Sequence, residues 1–168
     1  MADIFTTSKR SQLMASIRSQ GNLSTEQRML SILRANKMRG WRRHIRLTLR
    51  GPNPPVQHGH LRPDFVWKRE RLALFLDGCF WHGCRRHGHI PLTRSAFWSA
   101  KLERNMERDR AVSRALRKAG WTVVRIWEHD LKDEANTVHK MFKAFARTAR
   151  NRSVRSNQHR RVSCSSDP

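Results

Sequence analysis

The sequence contains few acidic residues, few cysteines and no tyrosine. Its 168 residues carry 13 Asp and Glu against 35 Lys and Arg, which gives a formal net charge of +22 at pH 7. Such an excess costs self-repulsion unless a polyanion neutralises it, so we expect a nucleic-acid partner. Most of the cations are Arg, whose planar guanidinium binds phosphate and guanine with two hydrogen bonds. The alternative is a ribosome-like or merely solubilising basic surface.

The three cysteines are too few for the disulfide framework of a secreted domain. Two of them, Cys79 and Cys84, lie in a His-rich segment, which indicates thiolates that bind metal in a reducing compartment. No apolar run reaches the ~18 residues of a membrane span, and the first residues lack the apolar core of a signal peptide. We therefore expect a soluble, cytoplasmic protein whose length suits one domain with a single core.

Apolar periodicity and turn residues divide the chain into helices and strands. The patterns predict, in order, a basic helix over Ser8–Gln20, a helix over 24–40, a weak strand over 41–49, strands over 62–67 and 72–77, a helix from Ser95 to a stop at Gly120, a strand over 121–127 and a helix over 133–147. The segment 148–168 is polar, Arg-rich and without periodicity, so we expect a disordered basic tail. This order predicts an α/β protein in which helices flank a small mixed sheet.

The segment from Arg62 to Trp98 concentrates the residues that carry chemistry. Asp64 stands at the start of one predicted strand and Asp77 at the end of the next. This spacing matches the PD-(D/E)xK nuclease superfamily, although the expected Lys is replaced by Cys79. Cys79, Cys84 and His87 supply three zinc ligands at close spacing, and His129 would complete a tetrahedral site. His89 is a rival for His87, and two free buried thiols are the alternative to a zinc site.

A longer motif is more specific than these two acids. The run Asp77-Gly-Cys-Phe-Trp-His-Gly-Cys84, followed by Phe97-Trp98, Asn105 with Arg108-Asp109, and Gly120-Trp121, resembles the very short patch repair (Vsr) DNA mismatch endonuclease family. The resemblance extends over roughly residues 9–131. It implies a restriction-endonuclease-like core over 21–147 after a basic arm at 1–20, and a monomeric bacterial enzyme that acts at the nucleoid.

The resemblance also implies roles for the acidic and imidazole side chains. Asp64 would ligate Mg²⁺ directly, with Asp77 or the backbone carbonyl of Leu76 as a second contact, and Glu26 would reach the ion through water. His82 is the candidate general acid or base, because imidazole titrates near neutrality. A turn or ion-pair role for Asp64, a strand-end role for Asp77, a cap role for Glu26 and a zinc or packing role for His82 are the alternatives.

Aromatic and basic residues complete the predicted site. Phe80, Trp81 and Trp98 would act as wedges that open the base stack, at a cost that is lower for a mispair. The resemblance implies that these rings enter the base stack beside a T·G mismatch. Asn105 would face the site from the long helix. Arg10 and Arg18 would add phosphate contacts.

The resulting hypothesis is a Mg²⁺-dependent, zinc-stabilised endonuclease that nicks duplex DNA 5′ to the mispaired thymine, in conjunction with mismatch-repair proteins. One rival is a nuclease of the same fold that cuts paired DNA in restriction or phage defence. The other is a zinc-containing DNA-binding module without catalysis.

Overall fold

The described residues, 23–49 and 60–163 of a computed structural model, form a mixed sheet with helices on both faces. The elements in chain order are a π-helical turn at Leu23–Gln27, α1 (Arg28–Ala35), β1 (Arg42–Arg43), β2 (Leu47–Thr48), β3 (His60–Leu61), β4 (Phe65–Trp67), β5 (Leu72–Asp77), α2 (Ser95–Lys118), β6 (Thr122–Trp127), a 3-10 helix at Glu128–Lys132 and α3 (Glu134–Ser163). The α/β class predicted from the sequence is confirmed. The predicted helix at Ser8–Gln20, with Arg10 and Arg18, lies outside the described residues.

The main sheet has the strand order β1-β4-β5-β6. β4 pairs with β1 and β5 in antiparallel fashion, whereas β6 lies parallel to β5 with Asp77 opposite Trp127. A parallel pair requires a crossover, and α2 provides it. β2 and β3 form a separate two-stranded sheet. The carboxyl ends of β5 and β6 therefore meet at one edge, where the loop after Asp77 and the 3-10 helix also begin.

Both faces of the sheet are covered. On one face Leu72 and Leu74 pack in a core with residues of α1 and α3, and on the other Ala73 packs in a core with Val112 and Leu116 of α2. Burial of a Leu side chain stabilises the fold by about 2 kcal/mol. Because successive strand residues point to opposite faces, the last residues of β5 direct their side chains to two different sides of the sheet.

The region 41–49 differs from the single strand that its alternation predicts. His44 has a positive φ of 50°, which interrupts extended backbone, so β1 and β2 belong to different sheets. The turn brings the His44 N–H to the carbonyl oxygen of Asp64 at 3.3 Å. The break thus places a histidine beside the predicted catalytic aspartate.

Of the two long helices, α2 ends where the sequence predicts, whereas α3 extends further than predicted. α2 ends where Gly120 was expected to stop it: Gly120 has φ 77°, and Trp121 N–H donates to Leu116 O at 2.9 Å, as in a Schellman motif. α3 continues to Ser163, so the segment 148–163 of the predicted disordered tail is helical. A helix needs no apolar period where it continues from a packed segment, which explains the missed extension.

Candidate functional site

Asp64 lies immediately before β4 in a group with two other ligand-type side chains. Its Oδ2 accepts a hydrogen bond from the backbone N–H of Leu76 at 2.7 Å. Glu26, His44 and Asp64 offer ligand atoms that all lie within 4.8 Å of one another. Glu26 is only 3% exposed; its Oε2 also binds Arg43 and lies 2.9 Å from His44 Nε2. The fold thus brings together the carboxylates of Glu26 and Asp64, which lie far apart in the sequence.

The environment of Asp64 disfavours its negative charge. Burial raises the pKa of this carboxyl; the Leu76 hydrogen bond opposes the rise and the nearby Glu26 charge adds to it, so the pKa is about 6. A cation would relieve this penalty, and paired carboxylate oxygens are ligands that Mg²⁺ prefers. Asp64 therefore fits the direct magnesium ligand predicted from the sequence, and Glu26 fits the contact predicted through water. With His44 they form a group that the sequence did not reveal.

Asp77 is the last residue of β5, and its carboxylate lies in a network of charges. Arg125 of β6 donates from Nε to Asp77 Oδ2 at 2.7 Å and from Nη2 to Asp77 Oδ1 at 2.5 Å. The same Nη2 lies 3.0 Å from Oδ2 of Asp109 on α2. Because both oxygens of Asp77 accept from a guanidinium, this residue is better suited to a structural ion pair than to metal ligation.

His82 is held by the same network. Its Nδ1 lies 2.5 Å from Asp109 Oδ2 and 3.8 Å from Asp77 Oδ1. Burial raises the pKa of Asp109, but the hydrogen bond with His82 and the charges of Arg125 and Arg108 outweigh it, so the net pKa is lowered. An ionised Asp109 accepts the Nδ1 proton of His82, and the Nε2 nitrogen is then the basic one. This arrangement is typical of a general base held in one tautomer.

The residues predicted to bind zinc come together in space. Cys79, Cys84, His87 and His129 offer atoms within 4.8 Å of one another. The distances from His129 Nδ1 to the Cys79 and Cys84 Sγ atoms are 3.2 and 3.6 Å, and those from His87 Nδ1 are 3.9 and 3.8 Å. Ligands of one tetrahedral zinc ion are separated by about 3.6 Å on average, given its bond lengths. Two thiols and two imidazoles fit this ion in both chemistry and spacing.

Local backbone geometry supports this cluster. Gly88 N–H donates to the carbonyl oxygen of Cys84 at 2.7 Å, and a Cβ at Gly88 would lie 2.4 Å from that oxygen. Burial raises the Cys84 pKa, but hydrogen bonds from the His87, Arg86 and Gly88 backbone outweigh it, so the thiol pKa is lowered. Burial raises the pKa of the neighbouring Cys79 thiol instead, so of the two thiols only Cys84 is favoured as the thiolate that ligates metal. The rival His89 instead packs against Phe80, with ring centroids 5.8 Å apart.

The predicted wedge residues form one aromatic cluster. Phe80 lies 5.0 Å from Trp81 and 5.4 Å from Trp98 between ring centroids. Trp98 is only 8% exposed, so it supports the other two rings from below. The exposed apolar side chains near this cluster are Leu92, Ile90 and Phe97, at 83%, 49% and 44% exposure. Asn105 donates from Nδ2 to the carbonyl oxygen of Trp81 at 3.2 Å, which indicates that it positions this loop.

The structure therefore separates the predicted site residues into neighbouring groups. Asp64 and Glu26 lie in one group and His82 and Asp77 in another. The Asp77 charge acts on the Asp64 carboxyl, and β5 joins the groups through adjacent Leu76 and Asp77. Carboxylates at strand ends of a mixed sheet, beside a histidine held by an aspartate, define a phosphodiester-cleaving nuclease.

In the described residues no helix is long and apolar enough to cross a membrane.

Comparison with known proteins agrees with this class. The family model described as DNA mismatch endonuclease Vsr matches residues 2–87. The type II nicking enzyme V.NaeI of Lentzea aerocolonigenes is 44% identical over 94 residues, which cover 53% of this chain and 57% of that protein. V.XorIIP of Xanthomonas oryzae pv. oryzae is 37% identical over 79% of this chain and 89% of its own length. DNA mismatch endonuclease Vsr of Escherichia coli is 35% identical over 82% and 84%. The chain belongs to the Vsr family and is a DNA endonuclease.

Proposed function

We propose that the protein nicks one strand of duplex DNA 5′ to the thymine of a T·G mismatch in a Mg²⁺-dependent reaction. The observation that supports this most directly is the 2.5 Å contact between His82 Nδ1 and Asp109 Oδ2. It lies beside β5, whose Leu76 N–H donates a hydrogen bond to Asp64. A general base and a buried carboxylate at the end of one strand are what hydrolysis of a phosphodiester requires.

The residues of this chain divide the work between two sides of β5. Asp64 and Glu26 would hold the Mg²⁺ ion, together with the Leu76 carbonyl oxygen. When bound, such an ion offsets charge on the phosphoryl oxygens and lowers the pKa of water. His82 would accept or return a proton at Nε2, and Asp109 would position its ring. Arg125 bridges the carboxylates of Asp77 and Asp109 and so holds both of them beside His82.

The aromatic cluster supports recognition of a mispair. Phe80 and Trp81 are half-buried, and Lys101 Nζ lies 5.3 Å from the Trp81 ring centroid. A cation beside the rings would attract the DNA backbone while the rings enter the base stack. Unstacking costs a few kcal/mol and costs least at a mismatch, so rigid aromatic side chains favour mispaired steps over paired ones. Closure of the loop by zinc would hold these rings in place.

A second candidate function is nicking of paired DNA within a particular sequence. The relatives named type II nicking enzymes favour it, since their sequences are as similar to this chain as that of the mismatch endonuclease. The two functions share the catalytic groups and differ only in the DNA that is cut.

A gel assay with end-labelled duplexes and Mg²⁺ tests both. We expect a single nick 5′ to the thymine of a T·G duplex, loss of the nick in Asp64→Ala and His82→Ala, and full activity in the matched variants Asp133→Asn and His139→Ala, both at exposed positions. Cutting of the paired duplex that depends on Asp64 would support the second candidate. Nicking that survives in Asp64→Ala would contradict the proposed centre.

A further inference from the structure

A cleft lies beside the His82 network, on the α2 side of the sheet. Its volume is about 730 Å³, within the range of pockets that hold a bound molecule. We call it the basic cleft, because its walls and floor include six arginines: Arg85, Arg86, Arg110, Arg114, Arg117 and Arg125. His82 and the predicted zinc ligands Cys84 and His129 also line it, whereas Asp64 and Glu26 do not. The basic cleft therefore adjoins the predicted general base and lies apart from the predicted magnesium ligands.

The charge in the basic cleft is strongly unbalanced. Only two carboxylates line it, those of Asp77 and Asp109, and Arg125 binds both of them. Arg110, Arg114 and Arg117 follow one another at four and three residues, so they share a face of α2. Within residues 23–49 and 60–163 none of these three has an ion-pair partner. Their repulsion is a cost that an anion in the cleft would remove.

The wall and floor also contain buried donors without an acceptor. Ser113, one helical turn after Arg110, is 5% exposed, and its Oγ has no hydrogen-bond partner among the described residues. Arg125 Nη1 likewise lacks an acceptor there. Buried polar atoms are nearly always satisfied in native proteins. A hydroxyl and a guanidinium N–H that line one cleft together match the oxygens of a phosphate group.

We propose that the basic cleft is a second phosphate site, which binds a backbone phosphodiester of the DNA away from the scissile bond. Ser113 and Arg125 would donate to one phosphate at the floor. Arg110, Arg114 and Arg117 would contact the strand along the wall and hold the duplex against His82. The inference rests on the proposed function only in taking duplex DNA as the substrate.

Binding of a paired duplex by the zinc-loaded protein, in buffer without Mg²⁺, tests the site without requiring a mismatch or cleavage. The variant Arg110→Gln/Arg114→Gln/Arg117→Gln is compared with Arg34→Gln/Lys37→Gln/Arg39→Gln. The second variant also removes three cations, but from α1 and the turn after it, which do not line the basic cleft. We expect the slope of log Kd against log salt to fall by about 2 to 3 in the first variant, since each lost phosphate contact lowers it by about 0.9. We expect little change in the matched control.

Ser113→Ala tests the floor, because alanine suits a helix and removes only the hydroxyl. It should weaken duplex binding about three- to tenfold with an unchanged salt slope, while the melting temperature does not fall, because the hydroxyl that is removed has no partner among the described residues. Equal losses in the cleft variant and its control would overturn the proposal. Thermal stabilisation by inorganic phosphate at fixed ionic strength, lost in the cleft variant while duplex affinity is kept, would overturn the assignment to DNA. A parallel nicking assay on T·G and paired duplexes reports separately on the proposed function.

Discussion

Replacement of Asp64 by Asn should stabilise the metal-free protein while it abolishes cleavage. The pKa of the Asp64 carboxyl is raised from 3.8 to about 6, so the folded state binds this proton more tightly than the unfolded state does. The free energy of unfolding then falls as pH rises from about 4 to about 6, and it stays lower above that window. A shift of about 2 units corresponds to about 3 kcal/mol at most.

Asn keeps the hydrogen bond but removes the buried charge. Its carbonyl oxygen would still accept from the Leu76 N–H, which donates to Asp64 Oδ2 at 2.7 Å. In buffer without Mg²⁺ at pH 7.5 we therefore expect Asp64→Asn to unfold at a temperature about 2 to 10 °C above that of the wild type, given ~2–4 °C per kcal/mol at this size. At pH 4, where the wild-type carboxyl is protonated in the fold, this advantage should disappear.

Addition of Mg²⁺ provides the complementary measurement. A ligand that binds only the folded state raises its stability by mass action, so Mg²⁺ should raise the melting temperature of the wild type and leave that of Asp64→Asn unchanged. Asp133→Asn, an exposed aspartate near the end of the 3-10 helix, is the matched control and should behave as the wild type in both assays. A metal-free Asp64→Asn protein less stable than the wild type at pH 7.5, or an equal difference at both pH values, would refute the reasoning.

Three further predictions concern the neighbouring groups. Asp109→Asn should lower kcat for nicking about 100-fold with little change in KM, because a positioning residue acts on His82 and not on binding. A raised KM with an unchanged kcat would argue against that role. His87→Ala should lose bound zinc, measured as metal content per chain, whereas His89→Ala should keep it; the reverse result would exchange the two assignments. Gly88→Ala should also lose zinc and lower the melting temperature, since a Cβ there lies 2.4 Å from the Cys84 carbonyl oxygen, and a variant with normal zinc content would show that the turn relaxes.

Much of the fold follows from local sequence. The apolar run 72–77 predicts a buried central strand, the branched segment 121–127 predicts a second strand, and Gly120 marks the end of α2, because each depends on residues close in the chain. The turn 79–87 likewise brings three zinc ligands together over nine residues. His129 was also predicted, because it follows the predicted strand 121–127, but the parallel pairing of β5 with β6 is what brings it to the cluster. The other features need no knowledge of distant packing.

Other features depend on contacts between distant segments. Arg125 was not predicted to act in the site: in the sequence it is one polar residue within an apolar strand. The parallel register places it beside Phe75, from where it reaches Asp77, 48 residues away. His44 was missed for a similar reason, since its place beside Glu26 depends on a positive φ that breaks a predicted strand.

The sequence by itself determined the order of the main elements, the buried faces and most of the residues able to hold metal, because periodicity and spacing act within a few residues. Only the tertiary structure decided how charge is shared: Asp77 is paired with Arg125, His82 with Asp109, and Asp64 shares its surroundings with Glu26. Electrostatic energy depends on separation in space and on burial. Strand register and helix packing set both quantities for these side chains.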